Sequence, residues 1–237
     1  QFVLAGNIRD HCLMPGAATA TMVPLIRALW ERLRALGYRF MVVYDPVDGV
    51  RTYPPEEAAR EAAATHLKLA KTGEPAPMGL EALAQLAAKI VALREARAAL
   101  VVDFASRVVR TPSTPDAGEH KFFVAAEKLA LAANPIVAAG TADGPRFNPI
   151  VWLVNREQDL PSWFALDSER VETLAIAPPD YETRLAAGAL LAPLFEGYAG
   201  ADAAARTKFA KGLADATDGL TLTALTDIAQ LGAAQKL

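Results

Sequence analysis

The stretch 98–109, AALVVDFASRVV, constrains the fold of this chain more than any other. Ala99, Leu100, Val101 and Val102 run without a break into Asp103. A short, unbroken, β-branched run reads as a strand buried on both faces, the kind found at the centre of a parallel sheet. An acid at the C-terminal end of such a strand stands where open α/β sheets place their ligands. Two roles are open for Asp103: holding a metal-bound phosphate, or capping the turn that follows.

The rest of the chain alternates around that strand. Residues 2–5 (FVLA), 39–44 (RFMVVY), 148–154 (NPIVWLV) and 171–176 (VETLAI) read as four further strands. Residues 24–36 read as an amphipathic helix: Leu25, Leu29, Leu33 and Leu36 share one face, while Arg27, Glu31, Arg32 and Arg34 fill the other, and Gly37 stops it. Helices are also expected over 56–71, over 80–96 with Arg94 and Arg97 at its end, and over 119–133. Residues 6–19, GNIRDHCLMPGAAT, read as a loop punctuated by Gly and Pro, and 47–77 is the least regular part. Beyond Asp180 the strand signals stop, and 181–195, 203–214 and 221–234 read as helices. This order predicts an α/β fold: a five-stranded parallel sheet flanked by helices over 1–179, then a small all-helical lid subdomain over 180–237.

Composition narrows the function classes. Of 237 residues, 52% are hydrophobic and 22% charged, enough apolar matter for a substantial core. The net charge of −3 offers no basic excess for nucleic-acid binding. No run reaches the ~18 apolar residues of a membrane span. Cys12 is the only cysteine, which excludes an intrachain disulfide and a cysteine-based metal site and fits a reducing, cytoplasmic setting. The chain opens on Gln1 inside a strand, so it is expected to be a piece of a longer protein.

The layout resembles the AAA+ ATPase module of the P-loop NTPase superfamily. Residues 100–103 resemble its Walker B strand, and 150–155, IVWLVN, its sensor 1 strand, which ends in a polar residue, commonly Asn. Arg170 precedes the fifth strand, where such modules often carry an arginine finger, and residues 213–225, LADATDGLTLTAL, resemble the lid segment in which a T-x-G turn introduces a helix. The resemblance implies ATP or ADP with magnesium as the cofactor; the residues themselves fix none. It also implies Gly6, Asn7, Arg9, Asp103 and Asn155 as nucleotide-binding candidates, and Arg170 as an intersubunit arginine. The implied partners are further copies in an oligomeric ring, or an adjoining, intact ATPase module beyond Leu237.

The departures from the family pattern decide the functional expectation. No G-x-x-x-x-G-K-[ST] occurs, and the loop at 6–19 that stands in its place has no Lys. That motif works because its glycines let backbone N–H groups wrap the phosphates, its Lys neutralises their charge and its hydroxyl holds Mg²⁺. Arg9 supplies charge without that geometry. Asp103 is followed by Phe104, where the family carries the glutamate that polarises water, and the lid helix from Thr221 offers no sensor 2 Arg. The chain therefore reads as a degenerate AAA+ module serving assembly or regulation within a larger ATPase, with no catalytic residue and no hydrolysis of its own. Three alternatives stay open: a nucleotide-binding ATPase with an atypical phosphate loop, an unrelated doubly wound enzyme, and a protein-interaction adaptor on an α/β scaffold.

Other polar residues point to less. Arg9, Asp10 and His11 cluster in the loop, but His11 and Cys12 are adjacent, lack a third orienting group, and make a poor nucleophile pair. His11, His66 and His120 have no metal-ligand spacing. Asp45 and Asp48 shape the turn DPVDG, and Trp152 and Trp163 are packing residues.

Overall fold

The computed structural model describes residues 1–16, 19–137 and 144–235. The chain divides into two compact units, Gln1–Ile8 with Trp30–Ile176, and Arg9–Leu29 with Ala177–Leu237. The strands are β1 (Phe2–Gly6), β2 (His11–Met14), β3 (Thr21–Pro24), β4 (Phe40–Asp45), β5 (Gly49–Tyr53), β6 (Ala98–Val102), β7 (Ile150–Val154) and β8 (Glu172–Ile176).

The first unit is built on a six-stranded sheet in the order β5-β4-β6-β7-β1-β8. All neighbours pair parallel except β4 and β5. Every residue of β6 and β7 is buried, as their unbroken apolar runs require in strands covered on both faces. The sheet has one strand more than the five expected. The sixth, β5, falls in the irregular stretch 47–77. Asp45 Oδ1 accepts the N–H groups of Val47 and Asp48 at 2.7 and 3.1 Å, and Gly49 takes φ +90°, so the chain reverses at once into an antiparallel edge strand. Only Val50 and Thr52 of its alternating side chains join Gly49 in burial, too short an apolar signal to stand out in sequence.

Helices α2 (Glu57–Leu67), α3 (Leu80–Ala92) and α4 (Ala117–Ala132), and the short α5 (Ser162–Ala165), cover one face of the sheet; α1 (Leu25–Ala35) contributes its turns from Trp30 onward to this unit. Ala63, Leu83, Ile90 and Phe123 from these helices meet Val42, Leu100, Val102 and Trp152 of the sheet in one core. At its centre Trp152 packs against Phe122, Phe123 and Phe164, with ring centroids 5.8, 5.6 and 5.2 Å away. Asp116 and Glu119 form a reciprocal capping box at the start of α4. Helix α3 stops at Ala92, short of the expected residue 96, and Arg97 is not a helix-end cation: it is buried, with Nη1 donating to the Leu36 carbonyl at 2.9 Å. Asn148 explains the early stop. Its Nδ2 donates to the carbonyls of Ile90 and Leu93 at 2.7 and 3.1 Å, and its Oδ1 accepts the Ala98 N–H at 3.0 Å. One buried side chain thus ends α3 and starts β6.

The second unit combines the β2–β3 hairpin with α6 (Tyr181–Leu191), α7 (Ala203–Ala216) and α8 (Leu222–Ala234). Ala187, Leu191, Leu222, Leu225 and Ala229 form its core, with Leu13 and Met22 of the hairpin packed against them. Asp180, Asp202 and Thr221 cap the three helices through side-chain oxygens that accept the N–H of Thr183, Ala205 and Ala224. Arg184 is buried and ties the unit together, reaching the carbonyls of Pro179 and Ala214 and, at 2.6 Å, Asp218. The stretch 6–19, expected as a loop, carries β2; residues 17 and 18 of it lie outside the described residues. Four residues per strand, half-buried throughout in β2, are too few to show a period-2 pattern. No described helix is long and apolar enough to cross a membrane.

Candidate functional site

Strands β6, β7 and β1 are neighbours and run parallel, so their carboxyl ends lie in a row. Asp103 follows β6, Asn155 follows β7, and Gly6 ends β1 with Asn7 next. Four of the residues singled out in the sequence therefore share one edge of the first unit, the edge where α/β sheets hold ligands. Arg9 belongs to the second unit. Arg170 precedes β8 and lies at the opposite, amino edge of the sheet.

Asp103 is buried, and its Oδ1 accepts the N–H of Phe104 at 2.8 Å. Its own N–H donates to the Tyr44 carbonyl at 2.8 Å, extending the β4–β6 pairing by one step. Phe104 takes φ +48°, an unusual conformation for a side chain of this size, and its ring is exposed. The turn continues into a 3-10 stretch, Ala105–Arg107, where Ser106 Oγ accepts the Asn155 N–H at 2.8 Å. The β6 and β7 exits are thus joined through Ser106, a link with no signature in sequence spacing.

The exit of β1 is tightly bonded to its neighbours. Gly6 has φ +112°, and a Cβ placed there would stand 2.6 Å from the Ile176 carbonyl oxygen. The Asn7 N–H donates to that same carbonyl at 2.8 Å, and the Ile8 N–H to the Gly6 carbonyl at 2.8 Å. Ile8 is buried. A phosphate-cradling loop needs several successive N–H groups aimed at open space and an ammonium among them. Here the first two amides past the strand are already bonded to backbone, and an apolar side chain follows them into the interior. The Asn7 and Ile8 amides are therefore already engaged and do not point at the triphosphate that the family resemblance implies.

In the second unit Asp10 has a different occupation. It is buried, and its carboxylate accepts the N–H groups of Leu222 and Thr223 at 2.9 and 2.8 Å, the Thr223 hydroxyl at 2.9 Å and the His11 N–H at 2.8 Å. Leu222 and Thr223 are the first two residues of α8, so Asp10 caps that helix from a distant part of the chain. His11 Nδ1 lies 2.9 Å from the Thr223 hydroxyl. Since that hydroxyl donates its single hydrogen to Asp10, His11 presents a protonated Nδ1 to it. The polar cluster of the loop is thus a helix-capping network. Burial and the Asp10 carboxylate both push the Cys12 thiol up, away from nucleophilic use.

His66 lies in α2 and His120 in α4, against Trp163; among the described residues no group of His, Cys, Asp and Glu could hold a metal ion. At the amino edge of the first unit a cavity of about 220 Å³ opens among Val91, Leu129, Phe147 and Ile150, rimmed by Glu169, Arg170 and Glu172. Arg170 is exposed at its mouth.

A comparison with curated proteins finds no match. Residues 1–177 match the family described as AAA+ chaperone, N-terminal Rossmann-like domain, and the chain belongs to that family.

Proposed function

We propose that this chain is a degenerate AAA+ module that serves assembly or regulation within a larger cytoplasmic ATPase and does not hydrolyse ATP itself. The observation that carries the reading is the β1 exit, where the Asn7 and Ile8 amides are bonded to backbone and no lysine is near in sequence. Phosphoryl transfer rests on positioning and charge stabilisation, so a module without that grip lacks the main source of rate. Gly6, Asn7, Arg9, Asp103 and Asn155 are then vestiges of a nucleotide site. Arg170, exposed beside the amino-edge cavity, is the residue we assign to contact with a neighbouring module, and the second unit takes the part of the lid.

Two measurements test this. The isolated chain is assayed for phosphate release from Mg-ATP, and the full-length protein is compared by light scattering and ATPase rate with a form lacking residues 1–237. The reading expects no release by the isolated chain, and a smaller or misregulated assembly when the module is removed. Turnover by the isolated chain that disappears in Asp103→Ala overturns it. That result would favour the second reading, an ATPase with an atypical phosphate loop, which the placement of Asp103 and Asn155 on neighbouring strand ends supports.

A further inference from the structure

Helices α6 and α7 leave a groove of about 380 Å³ between them in the second unit. Leu185, Ala189 and Ala210 form its apolar floor, Arg206 and Lys211 stand on its α7 side, and Tyr198 closes one end. On the far side of Tyr198 and Arg206 a second hollow of about 190 Å³ carries the paired rings of Phe195 and Phe209. The wall between the two is a cation–π pair, with the Arg206 guanidinium carbon 4.9 Å from the Tyr198 ring centroid. The Arg206 Nη2 also donates to the Ala199 carbonyl at 3.0 Å. The guanidinium is therefore held in place, but its charge is not neutralised.

No carboxylate lines the larger groove, and no acidic side chain pairs with Arg206 or Lys211 among the described residues. Glu196, beside the smaller hollow, is the one acid at the rim of either. Lys208, one turn before Lys211 on the exposed side of α7, adds a third cation to the same helix. The chain as a whole carries more acids than bases, with 27 Asp and Glu against 24 Lys and Arg. A local cationic rim over an apolar floor, in a chain of net negative charge, selects its partner by charge and apolar contact together.

We infer that this groove binds an amphipathic helix of a partner protein, with apolar anchors on one face and Asp or Glu flanking them. Alanines at 189 and 210 let a partner backbone approach closely. The two hollows on either side of the Tyr198–Arg206 wall each take one apolar anchor, as helix-in-groove recognition requires. The flanking carboxylates of the partner meet Arg206 and Lys211, and Tyr198 supplies a rigid aromatic surface at the centre, where such interfaces concentrate their binding energy. This inference is independent of whether the first unit turns over nucleotide.

The test uses the chain as it stands. A fluorescein-labelled helical peptide of about 18 residues, with Leu at helical spacing and Glu flanking the leucines, is titrated by anisotropy, beside a second peptide with Lys at every Glu position. The expected result is that the Glu peptide binds at least about tenfold tighter than the Lys peptide, weakens as salt rises, and loses its advantage in the double variant Arg206→Glu, Lys211→Glu. Arg206→Glu gives up the Tyr198 and Ala199 contacts, so circular dichroism and the melting midpoint of the double variant are checked, and Lys211→Glu alone, at an exposed side chain, is expected to reduce the Glu peptide's advantage with the fold intact. Equal binding of the two peptides overturns the inference, as does undiminished binding of the Glu peptide to the double variant. Self-association of the chain that the same double variant abolishes overturns it in favour of a second copy in the groove.

Discussion

Replacing Asp10 by alanine removes four hydrogen bonds from one buried carboxylate. The N–H groups of Leu222 and Thr223 lose their acceptor, and Leu222 is nearly inaccessible to water. Loss of a helix cap alone costs ~0.5–2 kcal/mol. An orphaned buried N–H costs ~1–3 kcal/mol, and the favourable contact between a carboxylate and the helix N-terminus adds ~0.3–1 kcal/mol. These terms overlap, so the expected total is about 2–4 kcal/mol for Asp10→Ala and about half that for Asp10→Asn, which keeps one acceptor. All three tryptophans lie in the first unit, so their fluorescence is the wrong probe. Urea denaturation followed by circular dichroism gives the free energy, and hydrogen exchange at Leu222 and Thr223 locates it. Early, selective loss of protection at the start of α8 is the predicted signature. A cost below about 0.5 kcal/mol, within the range of ordinary surface substitutions, would refute the capping role of Asp10.

Gly6→Ala should destabilise by about 1–3 kcal/mol, because it forces a side chain into positive φ and against the Ile176 carbonyl; chemical denaturation checks it, and a neutral outcome would show that the β1 exit can relax. Asn148→Ala leaves the carbonyls of Ile90 and Leu93 and the Ala98 N–H without their partner, for an expected loss of about 2–3 kcal/mol in the same assay. Cys12 should alkylate more slowly than a free thiol at mildly alkaline pH, because burial and Asp10 raise its pKa and so lower the thiolate fraction. Asp10→Asn removes the charge contribution and should speed iodoacetamide labelling; unchanged labelling would contradict that cause.

A strand is legible in sequence where burial on both faces leaves no room for polar residues. Strands β6 and β7 are recognisable from AALVV and IVWLV alone, and the order of strands and helices carried the AAA+ likeness that the family match bears out. Strand β5 and the β2–β3 hairpin were hidden because each is short and only partly buried, so neither the apolar run nor the alternation is long enough to register. Asn148 and Arg184 look like ordinary polar residues in sequence; their value comes from backbone carbonyls that only the fold brings within reach. Asp10 is the clearest case. Its partner Leu222 is 212 positions away, and nothing local distinguishes a loop acid that faces solvent from one that caps a distant helix. At the candidate site, strand-end position was readable for Asp103 and Asn155, whereas the engagement of the Asn7 and Ile8 amides depends on β8 and on the turn at Gly6.

The proposed function requires that the turn leaving β1 does not grip a triphosphate. Calorimetric titration of Mg-ATP into the chain tests it most directly. The expected result is no saturable heat at nucleotide concentrations up to about 1 mM, the upper end of ordinary enzyme substrate affinities. Saturable binding in the micromolar range, lost on Asp103→Ala, would contradict it.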